Sequence, residues 1–398
     1  MDSFLKKAQD KSFSTWLKGI RRTLHRYPEP SFEEFKTQAI ISEILTQIKV
    51  PFKNKVAKTG IIADLNEDLG NAKGIALRAD MDGLPVNEET GLPFASENPG
   101  FMHACGHDGH MAMLLGAIRL LKEEAPTLPI RFLFQPAEEK CGGAKAMIEE
   151  GALEGMTMIF GGHIDRHFPP GTISCSEGLI CANTDSFEIT ISGTGGHAAR
   201  PHEAVDCIVT ASLLVMNIQV LVSREVDPLF PKVVTVGEIK GGHTHNCIAE
   251  KAVLKGTVRT TDQRMRDMVR QGLERMVHTT SHLYGAQGHI RWSNHYPAVI
   301  NDPGSTAIAL KAATSVVGEE NIVPQDRPSL GGEDFSFYQQ VIPGCFVRFG
   351  ARKKGAEGIP AHSPRFDFDE SVLPVGAAYL ARVAVLAARC MEREGYGS

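Results

Sequence analysis

His103-Ala104-Cys105-Gly106-His107-Asp108-Gly109-His110 gathers three imidazoles, a thiol and a carboxylate within eight residues. Cys and His together are soft-to-borderline donors that suit zinc or a neighbouring divalent transition metal. Gly106 and Gly109 let the backbone turn sharply enough for nearby side chains to converge. The apolar run over 111–121 predicts a helix, which places the loop at a helix N-terminus, where the dipole favours a thiolate. The competing reading of the stretch, a buried Cys among hydrogen-bonded histidines, is the weaker of the two. The remaining ligands must come from other segments.

Those segments recur at predicted strand ends. Strands over 60–65 and 74–79 are followed by Asp80-Met81-Asp82-Gly83, two carboxylates that read either as function or as plain turn chemistry. A strand over 130–134 ends at Gln135-Pro136-Ala137-Glu138-Glu139. The run 156–160 ends at Gly161-Gly162-His163, and Ala361-His362-Ser363-Pro364 stands late in the chain. Cys105, His107, Glu139, His163 and His362 are too many donors for one tetrahedral zinc with an open position. They suit two metals sharing a bridging ligand. Adjacent carboxylates on extended backbone point in different directions, so one of Glu138 and Glu139 can ligate while the other stays free as a base.

The elements that must position these groups alternate as strands and helices, which predicts a mostly parallel α/β sheet with one chemically loaded edge. Residues 14–48 read as helical, interrupted by Tyr27-Pro28-Glu29-Pro30, with Ser31-Phe32-Glu33-Glu34 resembling a capping box. From about Asp185 the rhythm changes to β-α-β-β-α-β: strands near 186–192, 232–240, 252–260 and 289–292, helices over 203–223 and 261–284. That is the order of a ferredoxin-like sandwich. The α/β pattern then resumes with a helix over 303–317, a strand over 344–350 and a helix over 370–393. The expected organisation is a discontinuous metal-binding domain, 1–184 and 295–398, with an inserted α+β domain, 185–294, for dimerisation or as a lid.

At 398 residues the chain exceeds what one core usually organises. A formal net charge of −5 gives no footprint for nucleic acid or an anionic membrane. No apolar run reads as long enough to span a bilayer, and the charged N-terminus is unlike a signal peptide. Eight cysteines in so long a chain are not a disulfide framework, so reduced thiols in a cytoplasmic protein are expected.

The ordered set of motifs resembles the aminoacylase/carboxypeptidase-type family of co-catalytic metallopeptidases, in the amidohydrolase branch that holds hippurate hydrolases and indole-3-acetyl-amino acid hydrolases. The resemblance is carried by Arg22-Thr23-Leu24-His25-Arg26-Tyr27-Pro28-Glu29, Arg78-Ala79-Asp80-Met81-Asp82-Gly83-Leu84-Pro85, the His/Cys loop, Gln135-Pro136-Ala137-Glu138-Glu139, Gly195-Gly196-His197-Ala198-Ala199, Gly256-Thr257-Val258-Arg259 and Gly332-Glu333-Asp334-Phe335. It implies Cys105, His107, Glu139, His163 and His362 as ligands of two divalent ions, zinc or manganese first and cobalt or nickel next. It implies Glu138 as general base, and His197 as the histidine delivered across a dimer interface to the scissile carbonyl. Asn246 and Arg259 match substrate-binding positions. Asp80 matches a carboxylate that orients a metal ligand.

The implied activity is hydrolysis of N-acyl amino acids by a homodimer or dimer-based homotetramer. A dipeptidase or aminopeptidase on the same scaffold, and a non-catalytic binding module, are the alternatives. Two departures from the branch stand out: Ile164-Asp165-Arg166-His167-Phe168-Pro169-Pro170 lacks the usual Trp-Pro pair, and Asp206-Cys207-Ile208 replaces Asp-Pro-Ile. His25 reads as a surface or packing residue and His110 as a packing residue; His243 and His245 read as loop residues. His202, after a proline, is left open between substrate contact and surface.

Overall fold

The computed structural model describes residues 2–66, 73–124, 126–140 and 142–393. The chain divides into two compact units, one made of residues up to Ile180, Ile300–Arg327 and those from Asp334 onward, the other of Cys181–Val299 and Pro328–Glu333. The short stretch Pro328–Glu333, placed by sequence with the larger domain, belongs to the second unit. There Ala182 donates its N–H to the Ser329 carbonyl at 2.8 Å, and Gly332 lies so close to Thr184 and Tyr296 that a Cβ would meet them at 2.9 and 3.1 Å.

The first unit is built on an eight-stranded sheet. Its centre is four parallel strands in the order Ile130–Gln135, Gly74–Asp80, Met156–Asp165, Gly344–Gly350. Antiparallel pairings are confined to the flanks. Gly74–Asp80 is buried at every position, as a strand covered on both faces must be. Register then aligns the chemistry. Asp80 pairs with Gln135, Leu77 lies opposite Phe160 and His163 pairs with Arg348. The Asp80, Glu138 and His163 regions therefore emerge at one carboxyl edge.

Arg78 is buried within that central strand. Its guanidinium is satisfied by Gln135 Oε1 at 2.8 Å, Asp80 Oδ2 at 2.7 Å and Asp334 Oδ1 at 2.6 Å. The helix after the His/Cys loop, His107–Glu124, is buried over most of its length and packs against Val372–Arg393. Gly376 lets the two approach, since a Cβ there would lie 1.7 Å from the Met113 sulfur.

The capping-box reading is corrected. The helix starts at Phe35, and Glu34, at its N-cap, makes no side-chain capping bond. Glu29 does the capping instead, accepting from the Lys36 and Thr37 amides at 3.0 and 2.8 Å. Ser31 turns inward to Asp82 at 2.6 Å.

The second unit follows the β-α-β-β-α-β order, with strands Asn183–Ser192, Lys232–Gly241, Lys251–Thr260 and Gln287–Tyr296 and helices Cys207–Val220 and Gln263–Leu283. The sheet is antiparallel, with Lys232–Gly241 at one edge and Gln287–Tyr296 at the other. Asp206 caps the first helix through the Ile208 and Val209 amides at 2.9 and 3.2 Å. Cys207 occupies the first helical position, where proline is also favoured; its N–H donates to the Ala249 carbonyl at 3.1 Å, a bond proline could not make.

Among the described residues, two helices are long and apolar enough to cross a membrane by length and composition, Val372–Arg393 and Cys207–Glu225, against the expectation of none. The first is the core helix just described. The second is apolar on two sides, one of them exposed at Ile208, Val209, Met216 and Val220.

Candidate metal centre

Cys105 stands in the turn before the helix, with Gly106 at φ +91°, a conformation that favours glycine. Ile164 packs over this turn, 3.5 Å from where a Gly106 Cβ would lie. His107 is the first helical residue, and His163 lies near the end of Met156–Asp165. His362 is drawn to the same loop by its own N–H, which donates to the Ala104 carbonyl at 2.9 Å.

The donor atoms fall into overlapping sets, each within 4.8 Å: Cys105, His107 and His163; Cys105, Glu139 and His362; His107, Glu138 and Glu139. Within them Cys105 Sγ is 3.3 Å from His163 Nε2, and Glu139 Oε1 is 3.5 Å from His362 Nε2 and 3.9 Å from His107 Nε2.

These residues fit a metal by their hydrogen bonds. His107 Nδ1 donates to the Asp82 carbonyl at 2.9 Å and His163 Nδ1 to the Ile164 carbonyl at 2.7 Å. Carbonyls only accept, so both imidazoles carry the Nδ1 proton and present Nε2 lone pairs to the cluster. His107 Nε2 and Glu139 Oε1 are buried without a hydrogen-bond partner, a costly state unless an ion completes them.

Electrostatics agree. Burial, with Glu139 beside it, pushes the Cys105 thiol well above its usual range. Burial raises Glu139 to about 7. Burial opposes charge on His107, but Asp80 and Asp82 outweigh it and hold its pKa well above the ordinary value. Protons thus gather where divalent cations would replace them. Burial, His110 and Arg348 keep His163 neutral, ready to ligate.

Asp80 and Asp82 divide the supporting work. Asp80 accepts from His110 Nδ1 at 2.6 Å and is 3.8 Å from His107 Nε2. Asp82 holds the donors themselves. Its Oδ1 lies 3.4 Å from His107 Nδ1 and accepts the Glu138 amide at 3.1 Å, while Oδ2 accepts the Glu139 amide at 3.1 Å. Sequence reasoning singled out Asp80 and missed this role for Asp82. The only signal was the Asp-Met-Asp spacing, which turn chemistry explains equally well. His110 does more than pack: with Nε2 accepting the Ile164 amide at 2.9 Å, both its nitrogens are engaged and neither is free to ligate.

His25 was also underread. It is fully buried, with Nδ1 at 2.8 Å from Asp108 Oδ2, the atom that also accepts from Arg21 Nε at 2.8 Å.

Comparison with known proteins decides the affiliation. The sequence pattern of Peptidase family M20/M25/M40 matches residues 76–385. The chain belongs to this family. It is 42% identical over 365 residues to an N-acetyl-L-cysteine deacetylase of Bacillus subtilis, covering 91% of this chain and 85% of the relative. An IAA-amino acid hydrolase of Arabidopsis thaliana is 38% identical over 389 residues, covering 96% and 89%. A crystal structure of a dinuclear metal binding peptidase from M20 family, from Bacillus subtilis, superposes with a TM-score of 0.82 at 36% identity, covering 96% of this chain and 99% of that one. Membership in M20/M25/M40, with these relatives, makes this protein a metallo-hydrolase of amide or peptide bonds; the candidate donor clusters around Cys105 and His107 lie in its α/β unit.

In the second unit, His197 and Asn246 are neighbours. His197 pairs with Cys247 across a short ribbon, and the Ala198 N–H donates to the Asn246 carbonyl at 3.1 Å. Both are exposed. Arg259 stands elsewhere: it pairs with Thr184, three residues after the chain enters this unit, and its guanidinium donates to the Thr184 hydroxyl. Lys251, which pairs with Ser192 at the ribbon end, lies eight strand residues from Arg259, on the order of 25 Å at ~3.3 Å per residue.

Proposed function

We propose that the protein is a metal-dependent amidohydrolase that cleaves N-acyl amino acids to a carboxylic acid and a free amino acid. The Glu138–Glu139 pair carries this reading. Glu139 sits among the other donors, and Glu138, its neighbour, stays within 4.8 Å of both Glu139 and His107. When bound, two divalent ions, zinc or manganese before cobalt or nickel, would supply Lewis-acid chemistry to the attacking water and the substrate carbonyl. Cys105, His107, Glu139, His163 and His362 would hold them. Glu138 takes the proton of the attacking water and returns it to the leaving amine. Asp82 fixes the backbone of Glu138 and Glu139 and the ring of His107, which keeps base and donors in register.

His197 polarises the scissile carbonyl, and Asn246 and Arg259 bind the free carboxylate, Arg259 through its forked donors. A single small substrate cannot reach both ends of one copy's second unit. These roles are compatible only if two copies contribute, one lending His197 and Asn246 and the other Arg259. The exposed apolar side of Cys207–Val220, with Val233 and Ile239 exposed on the edge strand, supports a homodimer through this unit. Cys105, Cys175, Cys207, Cys247, Cys345 and Cys390 are free thiols, which suits a cytoplasmic setting.

The test is a hydrolysis screen of N-acyl amino acids and dipeptides with the metal-reconstituted protein. Turnover of N-acyl amino acids above dipeptides supports the reading. Dipeptide turnover alone would replace it with a peptidase.

A further inference from the structure

The residue before Glu138 is held in an unusual conformation. Ala137 has φ +53°, the left-handed region that a side chain with a Cβ avoids. On its far side the turn is packed against Gly143, where a Cβ would lie 1.6 Å from the Pro136 carbonyl oxygen. The Ala137 amide is satisfied by a side chain 103 positions earlier, donating to Glu34 Oε1 at 2.9 Å. Glu34 is fully buried. The same oxygen accepts the Phe32 amide at 2.9 Å, and Phe32 is itself left-handed at φ +65°. The other oxygen accepts from the Thr59 hydroxyl. From the same segment Ser31 donates to Asp82, which holds the Glu138 and Glu139 amides. Residues 31–34 therefore grip the turn on both sides of the base.

We infer that Glu34 is a positioning residue: its Oε1 acceptor locks the left-handed turn at Ala137 and so aims Glu138 at the metal donors. This rests on the hydrolase reading above. Both amides converge on one oxygen, so the role requires an acceptor at that point rather than a negative charge. Burial and the nearby Asp82 raise the Glu34 carboxyl to about 7, which agrees with a group that works whether or not it is ionised.

The experiment compares kcat, KM and metal content for wild type, Glu34→Gln, Glu34→Leu and the double variant Glu34→Leu with Ala137→Gly. The substrate is the N-acyl amino acid the wild type turns over fastest. Gln keeps the acceptor and should hold kcat within about threefold; Leu removes it and should lower kcat about 10–100-fold, the scale of a small misplacement of a reacting group. KM and metal content should stay near wild type. Glycine at 137 adopts φ +53° without help, so the double variant should recover much of the lost kcat. A purely structural role would give no such rescue. If Glu34→Leu does not fold, Thr59→Val with and without Ala137→Gly carries the same comparison with a smaller loss. Wild-type kcat in Glu34→Leu, or no rescue by Ala137→Gly, overturns the inference while leaving the hydrolase intact. Absence of wild-type turnover refutes the hydrolase reading and, with it, the base that Glu34 positions.

Discussion

Cys105 belongs to two donor sets, with His107 and His163 in one and Glu139 and His362 in the other. Cys105→Ala should therefore lower metal content from about two per chain toward one or none, since the thiol would contribute to both sets of donors. Elemental analysis of protein prepared without chelator and re-supplied with metal measures this directly; an unchanged content removes the thiol from the site. Glu139→Gln should lose metal and activity together. The donor residues could be picked from sequence because Cys, His and Glu cluster where predicted strands end. Asp82 could not. Its carboxylate earns its role only once the fold brings His107 and the Glu138 turn beneath it, and locally an Asp-Met-Asp-Gly string reads as a turn.

The helix Lys11–Arg26 is tied to the metal loop by one carboxylate. Asp108, the residue after His107, is fully buried and takes both Arg21 and His25. Burial opposes charge on His25, but the hydrogen bonds it donates to Asp108 and Glu88 outweigh it and raise its pKa to about 9. A raised folded-state pKa stabilises below the unfolded value, near 6.5, and that stability is lost as pH climbs through about 9. The shift corresponds to roughly 3 kcal/mol. At saturating metal, denaturant unfolding of wild type and His25→Gln should differ most below pH 6.5, and the gap should close by pH 10. A gap constant across that range would show that His25 is neutral in the fold. This anchor was hidden in the sequence because Arg21, Arg22 and His25 in one helix look like a solvated basic face. Helix and strand cores were legible from periodicity and apolar runs. The misread capping box failed for a definite reason: Glu29, not Ser31, reaches the first amides of the next helix.

The assembly proposed for the molecule rests on the two ends of the second unit. On that proposal, His197 with Asn246 at one end and Arg259 at the other meet one substrate between copies. Replacing Met216 and Val220 by Lys on the exposed side of the apolar helix should convert a dimer to a monomer by light scattering. Hydrolysis should fall by at least about tenfold, as expected when a positioned oxyanion donor is withdrawn, with metal content unchanged. A fully active monomer would show that His197 does not act between copies. Sequence periodicity carried the inserted β-α-β-β-α-β unit well. It carried nothing of Pro328–Glu333, which joins that unit through single contacts to Ala182 and Thr184 rather than through any repeating pattern.

The claim on which the rest depends is that Glu138 moves the proton while its neighbour holds metal. Glu138→Gln keeps the shape and leaves every proposed ligand in place. Measured beside wild type with metal content on the same samples, it should retain full metal and lose at least about 10³-fold in kcat, because one group serves as both base and acid. Retention of more than about a tenth of the wild-type rate with full metal, far short of that loss, would contradict the account.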